Sequence, residues 1–217
     1  MDSFDLDLES VDHALSTTRS VRRRLDFERE VEPEILEACI DIATQAPTGG
    51  QREGWRFLVV TDSAKKVALA DLYRRGLEQY RSAAEMTSGE RPPLRPTQQA
   101  LADRLHQVPV LILVCIEGRP QPDNVAQQVA FYGSVLPAAW SLMVALRARG
   151  LGSTWTTLHL LHEAEAARLL QIPPEVTQTV LIPVGYMQGA VLRRAERKPA
   201  REVTYWNRWG DHGPDRA

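Results

Sequence analysis

Arg19-Ser20-Val21-Arg22-Arg23-Arg24 gathers four guanidinium groups and a hydroxyl around one apolar residue. Guanidinium forks grip phosphate and other compact anions, so the run reads either as a localised anion site or as a solvated basic face. A nucleic-acid patch is the third reading. It is disfavoured because nothing else continues the patch and the net charge is −2, which also gives no pull toward an anionic membrane. A second stretch, Ala46-Pro47-Thr48-Gly49-Gly50-Gln51-Arg52-Glu53-Gly54-Trp55, packs a hydroxyl, a side-chain amide and free backbone N–H groups into a few residues. Its paired glycines let the main chain take positive φ or approach a ligand closely, which suits an anionic cofactor. The same composition also serves an ordinary surface connection. A third stretch, Leu151-Gly152-Ser153-Thr154-Trp155-Thr156-Thr157, is strand-like and rich in hydroxyls.

Other reactive residues carry less. His159 and His162 lie close to Glu163 and Glu165, but a metal site needs further ligands at fixed spacing, so no metal is expected. Cys39 and Cys115 each sit in an apolar segment without a CxxC pair and read as small buried hydrophobes. Near the end, Arg193, Arg194, Arg197, Lys198 and Arg201 precede Tyr205, Trp206 and Trp209. Such an arm binds well if it lies across something apolar, a second subunit for instance; a frayed tail is the alternative.

The elements that must position these residues follow from periodicity. A short helix is expected over Asp7 to Thr18, and Val31 to Gln45 forms an amphipathic helix with Pro33 in its first turn. Trp55 to Val60 is a strand, and Asp62 or Ser63 caps a further helix through Val67, Ala70, Tyr73, Leu77 and Tyr80. Thr87 to Pro96 is turn-rich: a lid over a pocket or a plain surface excursion. Val108 to Ile116 is nearly all apolar, a strand covered on both faces. One long helix is expected from Asn124 to a left-handed cap at Gly150, with Pro137 costing about 3 kcal/mol unless a kink is wanted there. Glu163 to Leu170 is a short helix and Val176 to Gly185 a strand.

Strands alternating with helices make the class α/β or α+β, one sheet sandwiched by helices. At 217 residues the chain, 1–217, reads as a single domain able to fold without disulfides. No apolar run approaches the ~18 residues of a membrane span. The acidic start, Met1 to Ser10, lacks the features of a secretory signal, so the expected compartment is the cytoplasm.

Four segments, in order, resemble the FMN-dependent nitroreductase family: Arg19-Ser20-Val21-Arg22, the loop from Ala46 to Trp55, Gly150-Leu151-Gly152-Ser153-Thr154-Trp155, and Arg197-Lys198-Pro199. The resemblance runs from about Ser16 to Gly210. It implies an α+β fold with a central mixed sheet flanked by helices, in a homodimer with FMN at the subunit interface. The long helix would lie at the dimer core and the C-terminal arm would be exchanged between subunits. It implies that Arg19 and Ser20 help hold the ribityl phosphate and that Arg22 faces the pyrimidine edge of the flavin. A cation there stabilises the charge that reduction places at N1 and O2. Thr48, Gly49, Gly50 and Gln51 would approach FMN, commonly from the other subunit. Thr154, Trp155 and Thr156 would lie beside the ring, with a backbone N–H near N5, and Arg197 would bind phosphate. The implied activity is transfer of hydride from NADH or NADPH through flavin N5 to a small electron acceptor of nitroaromatic or quinone type. No catalytic side chain is required. Relatives that dehydrogenate amides, remove halogen or fragment flavin, and a flavin binder without turnover, are the other readings. Gln51, Glu53, Gly54 and Thr18 depart from the commoner family residues.

Overall fold

The computed structural model describes residues 6–51 and 53–213. Arg52 of the glycine loop and Met1 to Asp5 of the acidic start lie outside them. Side-chain caps set the helix starts. Helix α1 (Leu8–Thr17) begins where Asp7 accepts the main-chain N–H groups of Glu9 and Ser10 at 3.1 and 3.2 Å. Helix α2 (Pro33–Ala43) opens on proline, whose missing N–H costs nothing in a first turn. After strand β1 (Trp55–Val60), Asp62 accepts from Lys65 N–H at 2.8 Å to start α3 (Ser63–Ser88), which ends at Gly89 with φ +75°.

The turn-rich segment is shorter than its composition suggests. Helix α3 runs through Thr87 and Ser88, and Pro96 opens α4 (Pro96–Arg104), leaving only 89–95 as loop. Strand β2 (Val110–Glu117) follows. The single long helix expected next is two: α5 (Val125–Gly133), capped by Asn124, and α6 (Leu136–Ala148). Pro137 lies in the first turn of α6, where it has no N–H to offer back, so the break falls at Ser134 and Val135. Taken together, Val125–Ala148 is long and apolar enough to cross a membrane by length and composition, mean hydropathy 1.7, contrary to the expectation that no run approaches this. Much of it lies inside the protein, because Ala138, Ala139, Leu142, Met143 and Leu146 of α6 are core residues.

Strand β3 (Leu151–Ser153), helix α7 (Glu163–Leu170), strand β4 (Val176–Tyr186) and the short α8 (Ala200–Val203) complete the order. Gly150 takes φ +78° just before β3. The sheet order is β1-β2-β4-β3 and every neighbouring pair is antiparallel. The architecture is α+β, but the sheet is antiparallel rather than mixed. Two helices, α3 and α4, separate β1 from β2 and return the chain antiparallel to its neighbour. Parallel pairing among the described residues is confined to the lone bridges Ser20–Ser153 and Gly118–Val176.

Strand β2 shows how the sheet divides the interior. Val110, Ile112, Val114 and Ile116 face one core with Leu36, Cys39, Leu142 and Leu146. Leu111, Leu113 and Cys115 face the other, with Leu69, Tyr73, Leu101 and Leu105. The period of two puts alternate side chains on opposite faces, and both are covered, so the strand is apolar throughout. Burial pushes the Cys115 thiol up to about 12, as befits an inert core cysteine.

Candidate functional site

The arginine run is tied to the far edge of the sheet. Ser20 bridges Ser153 in parallel, and Val21 N–H donates to the Ser153 carbonyl at 2.9 Å. Thr154 Oγ1, fully buried, donates to the Val21 carbonyl at 2.8 Å. Further on, Leu25 bridges Met187, and Gln188 N–H donates to the Arg24 carbonyl at 2.9 Å. Gly152 lets the run lie this close. A Cβ there would stand 2.8 Å from Leu25 Cδ2 and 3.0 Å from both Met187 Cγ and Val21 Cβ. The glycines after α6 thus have separate uses: Gly150 makes the turn, and Gly152 admits a neighbouring chain.

This placement opens a cavity of about 590 Å³ whose walls include Ser20, Arg22, Arg23, Arg24, Thr97 and Gln188, with no carboxylate. Arg24 Nη1 donates to the Gly189 carbonyl at 3.1 Å, whereas Arg22 and Arg23 join no ion pair among the described residues. Burial holds the Arg22 guanidinium below its usual range; the nearby Tyr73 phenol works against that, and the like charge of Arg95 adds to it. An arginine stays protonated through such a shift, so a half-buried positive charge remains without a countercharge.

Tyr73 was legible in the sequence only as part of a helix's apolar stripe. It is buried on α3, faces Arg22, and lies against Thr156; burial pushes its phenol up, opposed by Arg22 and Thr156. The Thr156 hydroxyl is itself buried with no hydrogen bond of ordinary geometry. Its main chain is committed to β4: Thr156 N–H donates to Leu181 O at 3.1 Å and Leu181 N–H returns at 2.9 Å. Trp155 packs against the first core. A half-buried cation, a buried phenol and a buried hydroxyl, from three separate parts of the chain, therefore converge beside a cavity walled by arginine. That donor set fits an anionic cofactor with polar ring edges.

The glycine loop stands elsewhere. Thr48 is half-buried, and Gly49–Gln51 form a single 3-10 turn in which Gly50 has φ +63°. Gly49 N–H donates to Ser134 Oγ at 2.9 Å, and that hydroxyl donates to the Ala130 carbonyl at 2.7 Å. Ser134, which sequence reading passed over, thus uses the break between α5 and α6 to pin the loop. Gly49, Gly50 and Glu53 line a second cavity of about 830 Å³ with Glu117, Arg119 and Phe131. Arg197 is exposed and donates to the carbonyl of its neighbour Glu196 at 3.2 Å. Within one chain, then, Ser20 and Val21 meet Ser153 and Thr154, while Gly49 and Gly50 line a different cavity and Arg19, Thr48 and Arg197 line neither.

Around His159 and His162, as elsewhere among the described residues, no group of three or more His, Cys, Asp or Glu side chains stands together in a way that could hold a metal ion. His159 is fully buried with both ring nitrogens unpartnered, and burial lowers it to about 4.

A model of the nitroreductase family matches residues 15–186. The chain belongs to the nitroreductase family. Among its relatives is a Methanothermobacter thermautotrophicus protein provisionally named NADH dehydrogenase/NAD(P)H nitroreductase, 27% identical over 80% of this chain and 75% of that protein. Rat iodotyrosine deiodinase 1 is 29% identical over 87% of this chain, which spans only 66% of that longer protein. Among solved structures, oxidized iodotyrosine deiodinase bound to FMN and 3-iodo-L-tyrosine superposes with a TM-score of 0.65 at 24% identity, over 86% of this chain and 95% of the other. That likeness is one of fold.

Proposed function

We propose that this nitroreductase-family chain is an FMN-dependent oxidoreductase that uses NADH or NADPH to reduce a nitroaromatic or quinone-type acceptor. The observation that carries the reading is the convergence of Arg22, Tyr73 and Thr156: a half-buried cation that joins no ion pair among the described residues, beside a buried phenol and a buried hydroxyl. Support comes also from the FMN held by a deiodinase of like fold and the nicotinamide-linked name of the methanogen relative. When bound, FMN would supply the redox chemistry, accepting hydride at N5 and passing the electrons to the acceptor.

The chain's own residues bind and orient. Arg19, Ser20 and Arg197 hold the phosphate, and Arg22 faces the pyrimidine edge, where its charge favours the reduced ring. Thr156 N–H is committed to Leu181, so the main-chain donor near N5 comes from Thr154 or Trp155. Thr48, Gly49, Gly50 and Gln51 reach the cofactor from a second copy, since within one chain Gly49 and Gly50 line another cavity. A homodimer would also cover the apolar surface that one chain leaves open: Val125 and Val129 on α5, and Trp206 and Trp209 on the arm, Trp209 at 88% exposure.

Absorption spectra of the purified protein, before and after anaerobic NADH or NADPH, test the reading. A yellow protein whose flavin band bleaches is expected. Protein that stays colourless after soaking in FMN sinks the cofactor assignment. Flavin that neither nucleotide reduces would favour reductive dehalogenation with another donor, the reading that similarity to the rat deiodinase supports.

A further inference from the structure

Helix α3 and the loop after it carry many arginines, and nearly all have found a carboxylate. Arg74 and Arg75 pair with Asp71, Arg75 also with Glu165 at 2.7 Å, Arg81 with Glu78, and Arg91 with Glu78 and Glu85. These contacts, with Arg81 Nε donating to the Pro92 carbonyl at 3.3 Å, tie the 89–95 loop down over α3. Arg95 is the exception. It joins no ion pair among the described residues, although Glu78 and Glu85 stand on the neighbouring helix. Its charge is close enough to act on that of Arg22, which joins no ion pair among the described residues either.

Arg95 lines a cavity of about 470 Å³ whose other walls include Leu77, Tyr80, Pro92, Leu94 and Arg81, the last already paired with Glu78. Most of the walls are apolar, the volume is ample for an aromatic ring, and no carboxylate lines the space. Like charges repel, and an anion bound at Arg95 offsets its charge. A mostly apolar cavity lined by an exposed guanidinium that joins no ion pair among the described residues selects a hydrophobic body bearing an acid group. The lack of any lining carboxylate disfavours an ammonium, and hence a zwitterionic amino acid.

We propose that this cavity binds aromatic monocarboxylates, with Arg95 as the carboxylate anchor. The assignment rests on the flavin reading for its role, the seat of the electron acceptor, but not for its binding contact. Gln98, whose side chain accepts the Arg95 main-chain N–H at 3.1 Å, holds the anchor's backbone at the mouth.

Fluorine NMR titration of the full chain, with and without FMN, tests it using 4-fluorobenzoate, fluorobenzene and 4-fluorophenylalanine. Wild-type protein should bind 4-fluorobenzoate about tenfold or more tighter than the other two, as a charged hydrogen bond warrants. Arg95→Gln should abolish that preference while leaving fluorobenzene unchanged, and Arg95→Lys should restore most of it. Arg95 is exposed, so the variants should melt with wild type. Equal binding of fluorobenzoate and fluorobenzene, or a preference that survives Arg95→Gln, overturns the anchor. Equal binding of the amino acid overturns the monocarboxylate class. A protein that takes no FMN yet loses fluorobenzoate on Arg95→Gln sinks the flavin reading and upholds this one.

Discussion

Thr154 Oγ1 donates to the Val21 carbonyl at 2.8 Å, a fully buried bond between residues 133 apart in sequence. It is one of the contacts that turn a basic run near the N-terminus into a wall of the site. Thr154→Val keeps the shape but leaves the Val21 carbonyl buried and unpaired. That should cost about 1–3 kcal/mol and weaken FMN binding, because Arg22 is the next residue. Denaturant unfolding and flavin-fluorescence titration check both, and an unchanged flavin affinity would detach this bond from the site.

Arg22→Ala should slow flavin reduction more than it lowers stability. The charge is half-buried and joins no ion pair among the described residues, so its removal relieves desolvation while depriving the reduced ring of a cation. Stopped-flow reduction with NADH and NADPH, set beside thermal melts, separates the two effects. Hydride-transfer rates equal to wild type would remove Arg22 from the pyrimidine edge.

Gly152→Ala tests the close passage of the arginine run over β3. Its Cβ would press on Leu25 at 2.8 Å and on Val21 and Met187 at 3.0 Å. Overpacking of this kind costs about 1–3 kcal/mol, and here the strain falls on the segment that carries Arg22. A melting temperature and flavin affinity both within error of wild type would show that the neighbours yield freely.

His159 predicts a pH dependence. Burial lowers its folded value from 6.5 to about 4, so the unfolded chain binds a proton through that interval and the folded chain does not. Its contribution is therefore full above pH 6.5 and is lost as pH falls through about 4. The loss is on the order of 3 kcal/mol. His159→Leu should flatten the stability profile over that window, and a slope as steep as wild type would acquit the histidine.

Truncation after Lys198 removes Tyr205, Trp206 and Trp209 and should loosen the proposed dimer. In one chain Tyr205 stacks on Trp209 at 4.7 Å between ring centroids, so part of the arm folds on itself. Trp209 nonetheless remains 88% exposed, which a partner surface would correct. Sedimentation at micromolar dilution decides, since a truncated chain that stays dimeric makes the arm incidental.

The sequence by itself determined whatever depends on neighbours along the chain. The strands at Trp55–Val60 and Val176–Tyr186, the cap at Asp62, the left-handed Gly150 and the apolar β2 were all legible, because periodicity and backbone permissiveness are local properties. The basic run with Arg22 could be read from residue types as a candidate anion site, and the stretch with Thr154 and Thr156 as strand-like and rich in hydroxyls. Tertiary structure alone decided which of them meet. Pro137 divides α5 from α6, strand pairing makes the sheet antiparallel, and the Ser20–Ser153 bridge joins two of the motifs while Gly49 is drawn aside to Ser134. Tyr73 and Arg95 stayed hidden for the same reason. A phenol in an apolar stripe, or one arginine among many, becomes distinctive only once packing shows what faces it and which charges have gone unpaired.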